Sequence, residues 1–197
     1  MRLPIAALLL LASTIPASAE TCRETFVRLL TDKTEKGPVK IHVTQEIKGG
    51  PTTKNYNYQA EPGHWMTEMI EPASMMWSLV YDNAMYTSTD KGKTWTKVRT
   101  MESSENEAST ENTMAEAAKT VANESCGEAE IDGVMHKTVE ADYDIPAYQT
   151  KHHQKYWVNP ETGWISKAVT ETSQTGFESV ATQIIEPAPD LELPTPE

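Results

Sequence analysis

VKIHVTQEIKGGPTTKNYNYQA, residues 39–60, contains the clearest strand pattern of the chain and the turn that follows it. Val39, Ile41 and Val43 alternate with polar residues, and this period of two gives an extended strand one apolar face and one wet face. The Gly-Gly-Pro in the middle breaks the strand, and residues 54–60 read as its return. The stretch therefore predicts an antiparallel hairpin with one buried face.

The same kind of pattern continues along the chain in both directions from this hairpin. Short strands separated by turn residues are predicted at 65–70, 75–81, 84–88, 94–99, 129–132, 134–143, 151–158, 164–172 and 176–185. Most of these segments follow one another through tight turns, which is typical of an antiparallel meander.

Two segments have helical periodicity instead. Residues 21–32 place Cys22, Phe26 and Leu29 at helical spacing, and a Gly-Pro pair shortly afterwards prevents continuation. Residues 103–123 contain no Gly, Pro or aromatic residue and have a narrow apolar stripe. The predicted fold class is α+β: a strongly curved antiparallel sheet, an open half-barrel, covered by two or more helices.

The N-terminal nineteen residues have the pattern of a secretory signal peptide. Arg2 precedes an apolar run too short to span a bilayer, and Ala-Ser-Ala before Glu20 is a small-residue cleavage site between Ala19 and Glu20. We therefore predict a signal peptide at 1–19, one domain at 20–186 with a helical insertion near 103–123, and a Pro-rich extended tail at 187–197. The predicted location is the periplasm of a Gram-negative bacterium, without a stable membrane anchor.

The two cysteines of the chain are Cys22 and Cys126. Two cysteines in an exported protein most often pair, so a disulfide is predicted, with two buried free thiols as the alternative. A thiol–disulfide enzyme is disfavoured because it normally carries C-x-x-C.

Charge excludes some partners. Without residues 1–19 the 17 basic residues fall to 16 against 29 acidic ones, a net charge of −13 with His neutral. Phosphate contacts need clustered Lys and Arg, so we predict no nucleic-acid partner.

Candidate chemistry along the chain is sparse. Residues 88–95 match S-x-D-x-G-x-T-W, the Asp box, which we interpret as a structural hairpin. His152 and His153 are neighbours on a predicted strand and so point to opposite faces, which disfavours a shared metal ion. We predict no metal, no cofactor and no catalytic residue; copper on the methionines 66, 69, 75 and 76, or a carboxylate-pair hydrolase, are the less favoured alternatives.

Aromatic residues are mostly Trp and Tyr, whose apolar bodies and polar tips suit cavity linings. Packing between sheet and helices is the alternative interpretation. If they line a pocket, the predicted ligand-binding residues are Ile41, Val43, Trp65, Met69, Trp77, Leu79, Tyr81 and Trp157.

The order of elements, together with residues 77–86 and the hairpin YWVNPETGW at 156–164, resembles the LolA, LppX and RseB superfamily of periplasmic carrier-type proteins. The hairpin is similar to the family's late W-V-D-P-x-T-G. The resemblance implies a half-closed barrel with helices at its mouth, and a non-enzymatic protein that holds acyl chains or presents a partner surface. The predicted function is a soluble binding protein for an apolar or acylated ligand held between sheet and helices; the alternative is an interaction module for another envelope protein.

Overall fold

The computed structural model describes residues 20–32, 37–101 and 103–196, without the side chains of 103–107. The predicted signal peptide and its cleavage site at Ala19 lie outside the described residues. None of the described helices is long and apolar enough to cross a membrane.

The described residues form two α-helices, a short 3₁₀ turn and eleven strands. The helices are α1 (Cys22–Thr31) and α2 (Ser103–Lys119), and the 3₁₀ turn is Pro146–Tyr148. The strands are β1 (Val39–Ile47), β2 (Thr52–Glu61), β3 (His64–Glu71), β4 (Trp77–Tyr81), β5 (Ala84–Ser88), β6 (Thr96–Thr100), β7 (Ala122–Ile131), β8 (Val134–Ile145), β9 (Thr150–Val158), β10 (Ile165–Gln174) and β11 (Phe177–Pro187).

The largest differences from the expected bounds are at the end of α2 and the beginning of β7. The second helix ends at Lys119 rather than near 123, because β7 begins at Ala122. β7 is correspondingly longer than the predicted 129–132. Its N-terminal part is largely exposed and has no apolar alternation to reveal it, and pairing with β8 holds it in the sheet.

All strands join one antiparallel sheet in the order β6-β5-β4-β3-β2-β1-β11-β10-β9-β8-β7. The sheet is open, because β6 and β7 at its two edges do not pair with each other. The predicted α+β class, an open antiparallel sheet with helices packed on it, is confirmed.

Strand register assigns every sheet residue to one of two faces. Residues directly opposite in an antiparallel pair project to the same side. One such row runs Tyr156, Ala168, Gln183, Val43, Asn55, Met69. The neighbouring row, one residue along each strand, runs Trp157, Lys167, Ile184, His42, Tyr56, Glu68 on the opposite side.

The first row belongs to the helix face, the side of the sheet on which α1 and α2 pack. Phe26 of α1 is fully buried and its ring centroid lies 5.6 Å from that of Tyr156. Ala117 of α2 and Ala141 of β8 are likewise fully buried in the same cluster. We call this cluster the helix-side core, and it covers the β7–β10 half of the sheet.

The second row belongs to the tail face. Its apolar cluster lies in the other half of the sheet, on β3–β5, and contains Met66, Leu79, Ala84 and Tyr86, with Leu79 fully buried. Leu193 from the C-terminal segment packs against it. We call this cluster the tail-side core. The packed apolar clusters of the two halves therefore lie on opposite faces of the sheet.

The disulfide predicted between Cys22 and Cys126 is present, with the two Cα atoms 5.6 Å apart. It ties the first residue of α1 to β7, an edge strand. The Arg23 guanidinium donates to the Val121 carbonyl beside it, and Thr21 caps the helix by accepting from the Glu24 amide. These contacts fix α1 over the sheet.

Candidate ligand-binding face

The eight residues predicted to line one pocket are divided between the two faces. Ile41, Val43, Trp65 and Met69 lie on the helix face, and Trp77, Leu79, Tyr81 and Trp157 lie on the tail face. A single cavity cannot be lined by both sets, because a closed layer of backbone separates them.

On the helix face, the four residues form an apolar band beside the helices. Ile41, Trp65 and Met69 are half-buried, and Val43 is buried. Val80 and Met85 extend the band, since Trp65 pairs with Val80 and Val80 with Met85. The band crosses β1, β3, β4 and β5, whereas α1 and α2 pack on β7 and β8 at the other end of the sheet.

Polar groups interrupt the band on β2. The Asn55 amide donates to the Asn57 side-chain oxygen at 2.9 Å, and the Thr67 hydroxyl donates to the same oxygen at 2.9 Å. The two bonds meet at the Asn57 side-chain oxygen, so the band presents apolar area with a small polar centre. Such a surface suits a ligand with a long apolar part and a polar group.

The space directly between helices and sheet is occupied by protein. Phe26, Leu29 and Tyr143 fill it, and burial raises the pKa of Tyr143 to about 12. A cavity of about 620 Å³ remains farther along α2, between Asn112 and Glu116 on one side and Ile145 to Ala147 on the other.

On the tail face, Trp77, Leu79 and Tyr81 lie in or against the tail-side core. Trp157 lies in the other half of the sheet, where the Lys155 and Lys167 ammonium groups sit 5.3 Å and 4.8 Å from its ring centroid. Cation–π packing against solvent-facing lysines is a surface role. Trp157 therefore does not share a site with Trp77.

The Asp box is a structural hairpin between β5 and β6. Asp90 accepts from the Thr94 hydroxyl at 2.7 Å, from the Thr94 amide at 2.9 Å and from the Ser88 hydroxyl at 2.8 Å. These bonds, the Thr94 hydroxyl first, lower the pKa of Asp90 to about 2. Gly92 has a φ of +80° and lies against the Trp77 ring, so the hairpin covers the tail-side core.

A charged cavity of about 630 Å³ opens at the ends of β1 and β8–β11. Its lining includes the carboxylates of Glu46, Asp142, Asp144, Glu171 and Glu178 and the amines of Lys48 and Lys151. The His153 ring lies 2.7 Å from an Asp142 oxygen, and Asn123 donates to the other oxygen at 2.7 Å. The Asn123 bond and then the His153 bond lower the pKa of Asp142.

His152 and His153 point to opposite faces, as expected of strand neighbours. His152 stacks on Tyr143 of the helix face with ring centroids 4.9 Å apart and contacts the Thr150 and Thr172 hydroxyls. Burial lowers the pKa of His152, against a smaller opposing effect of Asp144. Both histidines line the charged cavity, but His152 is packed against Tyr143 whereas His153 is paired with Asp142.

The arrangement of the described residues bears on the two less favoured predictions, copper binding and a carboxylate-pair hydrolase. No group of three or more His, Cys, Asp or Glu side chains there is placed to hold a metal ion. Met66 and Met69 lie on opposite faces, and Met75 and Met76 are exposed. The buried polar side chains of the described ranges include no carboxylate.

No family model matches the chain, and no curated protein matches it. Among solved structures, it is similar to the crystal structure of LolA superfamily protein NE2245 from Nitrosomonas europaea, at 9% identity and a TM-score of 0.36, over 86% of this chain and 94% of that one. It is also similar to a DUF1329 family protein from Desulfovibrio piger, at 10% identity and a TM-score of 0.31, over 82% and 89%. The superfamily that the sequence resembles is thus among the structural matches. At such TM-scores, ligand and partner have to be argued from this chain's own residues.

Sequence reasoning missed two features of the site. The charged cavity assembles residues from five strands that are distant in sequence, and no spacing rule connects them. Leu193 of the predicted extended tail packs into the tail-side core, and the only sequence signal was an apolar residue between prolines.

Proposed function

We propose that the protein is a non-catalytic binding protein that holds an apolar or acylated molecule on the helix face of β1–β5, beside the helices. The observation that carries the proposal is the apolar band of Ile41, Val43, Trp65 and Met69, continued by Val80 and Met85. Its side chains belong to four strands and share one face without helix packing of the kind seen on β8.

Energetics support an acyl ligand at this position. Burying apolar surface stabilises by about 25 cal/mol per Å², so an acyl chain laid along several half-buried side chains gains several kcal/mol. The Asn55–Asn57–Thr67 group lies in the same band and offers hydrogen bonds to an ester or amide. Because side chains already fill the helix-side core, the space under Phe26 has no room for the ligand, and the apolar band is the proposed position.

We also propose that the protein acts in the periplasm after removal of residues 1–19. The signal pattern of the sequence and the Cys22–Cys126 bond support an oxidising compartment. Mass spectrometry of the exported protein should find Glu20 as the first residue and processing insensitive to globomycin. A diacylated Cys22 would contradict release without a membrane anchor and the disulfide together.

The ligand proposal is tested with protein purified from the periplasm. Native mass spectrometry and lipid extraction should find bound lipid, and a fluorescent fatty acid should bind saturably. Ile41→Asn should weaken fatty-acid binding about tenfold, which corresponds to about 1.4 kcal/mol. Val180→Asn is the matched control, because Val180 is a β-branched residue on the adjacent strand but on the tail face. Absence of lipid and of fatty-acid uptake by the native chain would refute the proposal.

The second candidate function is a protein interaction module without a small ligand. The specific observation in its favour is β6, an edge strand whose five residues are all exposed, with Val98 57% exposed. An exposed edge strand can pair with an extended segment of another protein. A partner recovered from periplasmic extracts and lost on Val98→Pro, with unchanged fatty-acid binding, would favour this function.

A further inference from the structure

The C-terminal segment lies across the tail face. β11 ends at Pro187, the Ala188 amide donates to the Pro38 carbonyl at 2.8 Å, and a turn follows in which the Leu191 amide donates to the Ala188 carbonyl at 3.0 Å. Residues 191–196 then continue without helix or strand and reach β3. The segment is therefore placed over the sheet rather than extended away from it.

The anchor of this segment is Leu193, which packs against the tail-side core. Four aromatic side chains pack against the same core, and we call this set the aromatic groove: Tyr58, Trp77, Tyr81 and Trp95. The buried His64 ring lies 4.8 Å from the Tyr81 ring and donates from Nε2 to the Pro194 carbonyl at 3.1 Å. Because a carbonyl only accepts, this contact fixes the donor role of Nε2.

The segment has the chemistry that aromatic grooves recognise. Residues 191–197 read LELPTPE, with two prolines that hold the backbone extended at low entropic cost. Leu193, Pro194 and Pro196 are half-buried, whereas Glu192 and Thr195 are exposed. Proline-containing extended peptides bind aromatic-lined grooves in this way, with a ring N–H and apolar contacts as anchors.

The groove also offers groups that the segment does not use. Trp95 Nε1 is buried and has no hydrogen-bond acceptor among the residues that the structure describes. Lys97 pairs directly with Tyr86, so it projects from the same face beside the groove. An indole donor suits a peptide carbonyl, and a lysine suits an acidic flank such as that of the segment itself.

We propose that the aromatic groove is a binding site for a proline-containing, acidic, extended segment of a partner protein, and that the chain's own C-terminal segment occupies it until displaced. The seated Leu193-Pro194 pair defines the chemistry of the partner: an apolar residue followed by proline, with acidic neighbours. The site lies on the face opposite the apolar band, so it is independent of the proposed acyl ligand.

A partner can displace the segment because half-buried side chains and hydrogen bonds, not a covalent cross-link, hold it on the sheet. Its anchors, Leu193 and Pro194, remain half-buried, and the disulfide lies in the other half of the sheet. A short flexible tether gives a segment an effective concentration of about 1 mM. If the free segment binds the groove with a Kd of about 0.1 mM, competition from the tethered segment weakens peptide binding to the intact chain about tenfold.

The test uses a chain ending at Asp190 and a synthetic LELPTPE peptide. Tryptophan fluorescence and calorimetry should show saturable binding to the shortened chain and binding at least about tenfold weaker to the full chain. The same peptide with Asp in place of Leu193 should not bind. In the shortened chain, Tyr81→Ala should weaken binding, whereas Trp157→Ala, on the same face but in the other half, should leave it unchanged.

A full-length Leu193→Asp variant keeps the experiment decisive if the shortened chain fails to fold. Circular dichroism and the intact disulfide establish the folded state of either protein. The proposal is overturned if a folded variant does not bind the peptide, or if the full and shortened chains bind it equally well. It is also overturned if the full chain dimerises by exchanging tails, because a second copy would then be the occupant.

Discussion

The packed apolar clusters in the two halves of this sheet lie on opposite faces, and they are covered by different kinds of structure. In the β7–β10 half, the helix-side core is closed by α1 and α2, and a disulfide with a sequence separation of 104 ties α1 down. In the β2–β5 half, the tail-side core is closed by the local Asp-box hairpin and by a short C-terminal segment. The first cluster is therefore covered by helices that a disulfide holds in place, and the second by a hairpin and the C-terminal segment.

The two kinds of cover should open in different ways. A cover held by a disulfide and by Phe26 opens only with a large part of the domain, whereas a half-buried tail segment opens by itself. We therefore expect the helix half to carry stability and the tail half to carry a replaceable contact. The following measurements test this contrast, from the largest expected effect to the smallest.

Removal of the disulfide should have the largest effect. Changing both Cys22 and Cys126 to Ser should lower the free energy of unfolding by about 4–5 kcal/mol, because the unfolded chain regains the freedom of a loop of about 100 residues. Urea unfolding of the variant and of the parent measures the change. A loss below about 1 kcal/mol would mean that α1 is held by packing alone.

Truncating one fully buried side chain in each core should destabilise different parts of the sheet. Phe26→Ala and Leu79→Ala each truncate a fully buried side chain and should cost about 3–5 and 2–5 kcal/mol. Hydrogen exchange should localise the effects, with faster exchange in β7–β9 for the first variant and in β3–β5 for the second. Equal acceleration across the whole sheet in both variants would show one cooperative unit and contradict the contrast.

Gly92→Ala should destabilise the tail half by about 1–3 kcal/mol, since a Cβ there would lie 3.0 Å from the Trp77 ring at a φ of +80°. Gly133→Ala is the matched control: its φ is +81°, but nothing lies within 4 Å of the added Cβ. Thermal unfolding of both variants isolates the contact with Trp77. Equal losses would indicate that backbone strain alone matters.

Two side chains, one in each half of the sheet, should lose their contributions to stability in different pH windows. His152 has a lowered pKa when folded, so its contribution is complete above its unfolded pKa of about 6.5 and is lost as the pH falls below that value. Asp90, with a folded pKa of about 2, contributes above its unfolded value of about 3.9 and loses that contribution as the pH falls toward 2. Unfolding of His152→Asn and Asp90→Asn between pH 2 and 8 should each flatten only its own window.

Local patterns predicted much of the fold correctly. The period-two alternation at 39–47 identified β1, and Gly and Asn turns identified the hairpins around it. The helix beginning at Cys22 and its bond to Cys126 were also anticipated. These features depend on neighbours in sequence or, for the disulfide, on a choice among only two cysteines.

The candidate site was predicted only in part, for a physical reason. Trp65 and Trp77 both lie in predicted strands, yet register places them on opposite faces. Which face is buried depends on what covers it, and the helices cover one half while Leu193 and the hairpin cover the other. A strand pattern reports that one face is apolar; it does not report that the buried face changes sides along the sheet.

The sequence by itself determined most of the strands and the two helices, and it favoured the disulfide, because each follows from residue periodicity, turn chemistry or cysteine count. Only the tertiary structure decided that the predicted pocket residues are divided between two faces, that Phe26 fills the space under the helices, and that Leu193 of the C-terminal tail packs against the tail-side core. Those outcomes depend on register and on contacts between residues more than a hundred positions apart, such as His64 and Pro194. Packing across that distance is a property of the folded sheet and is not visible in any local stretch of the chain.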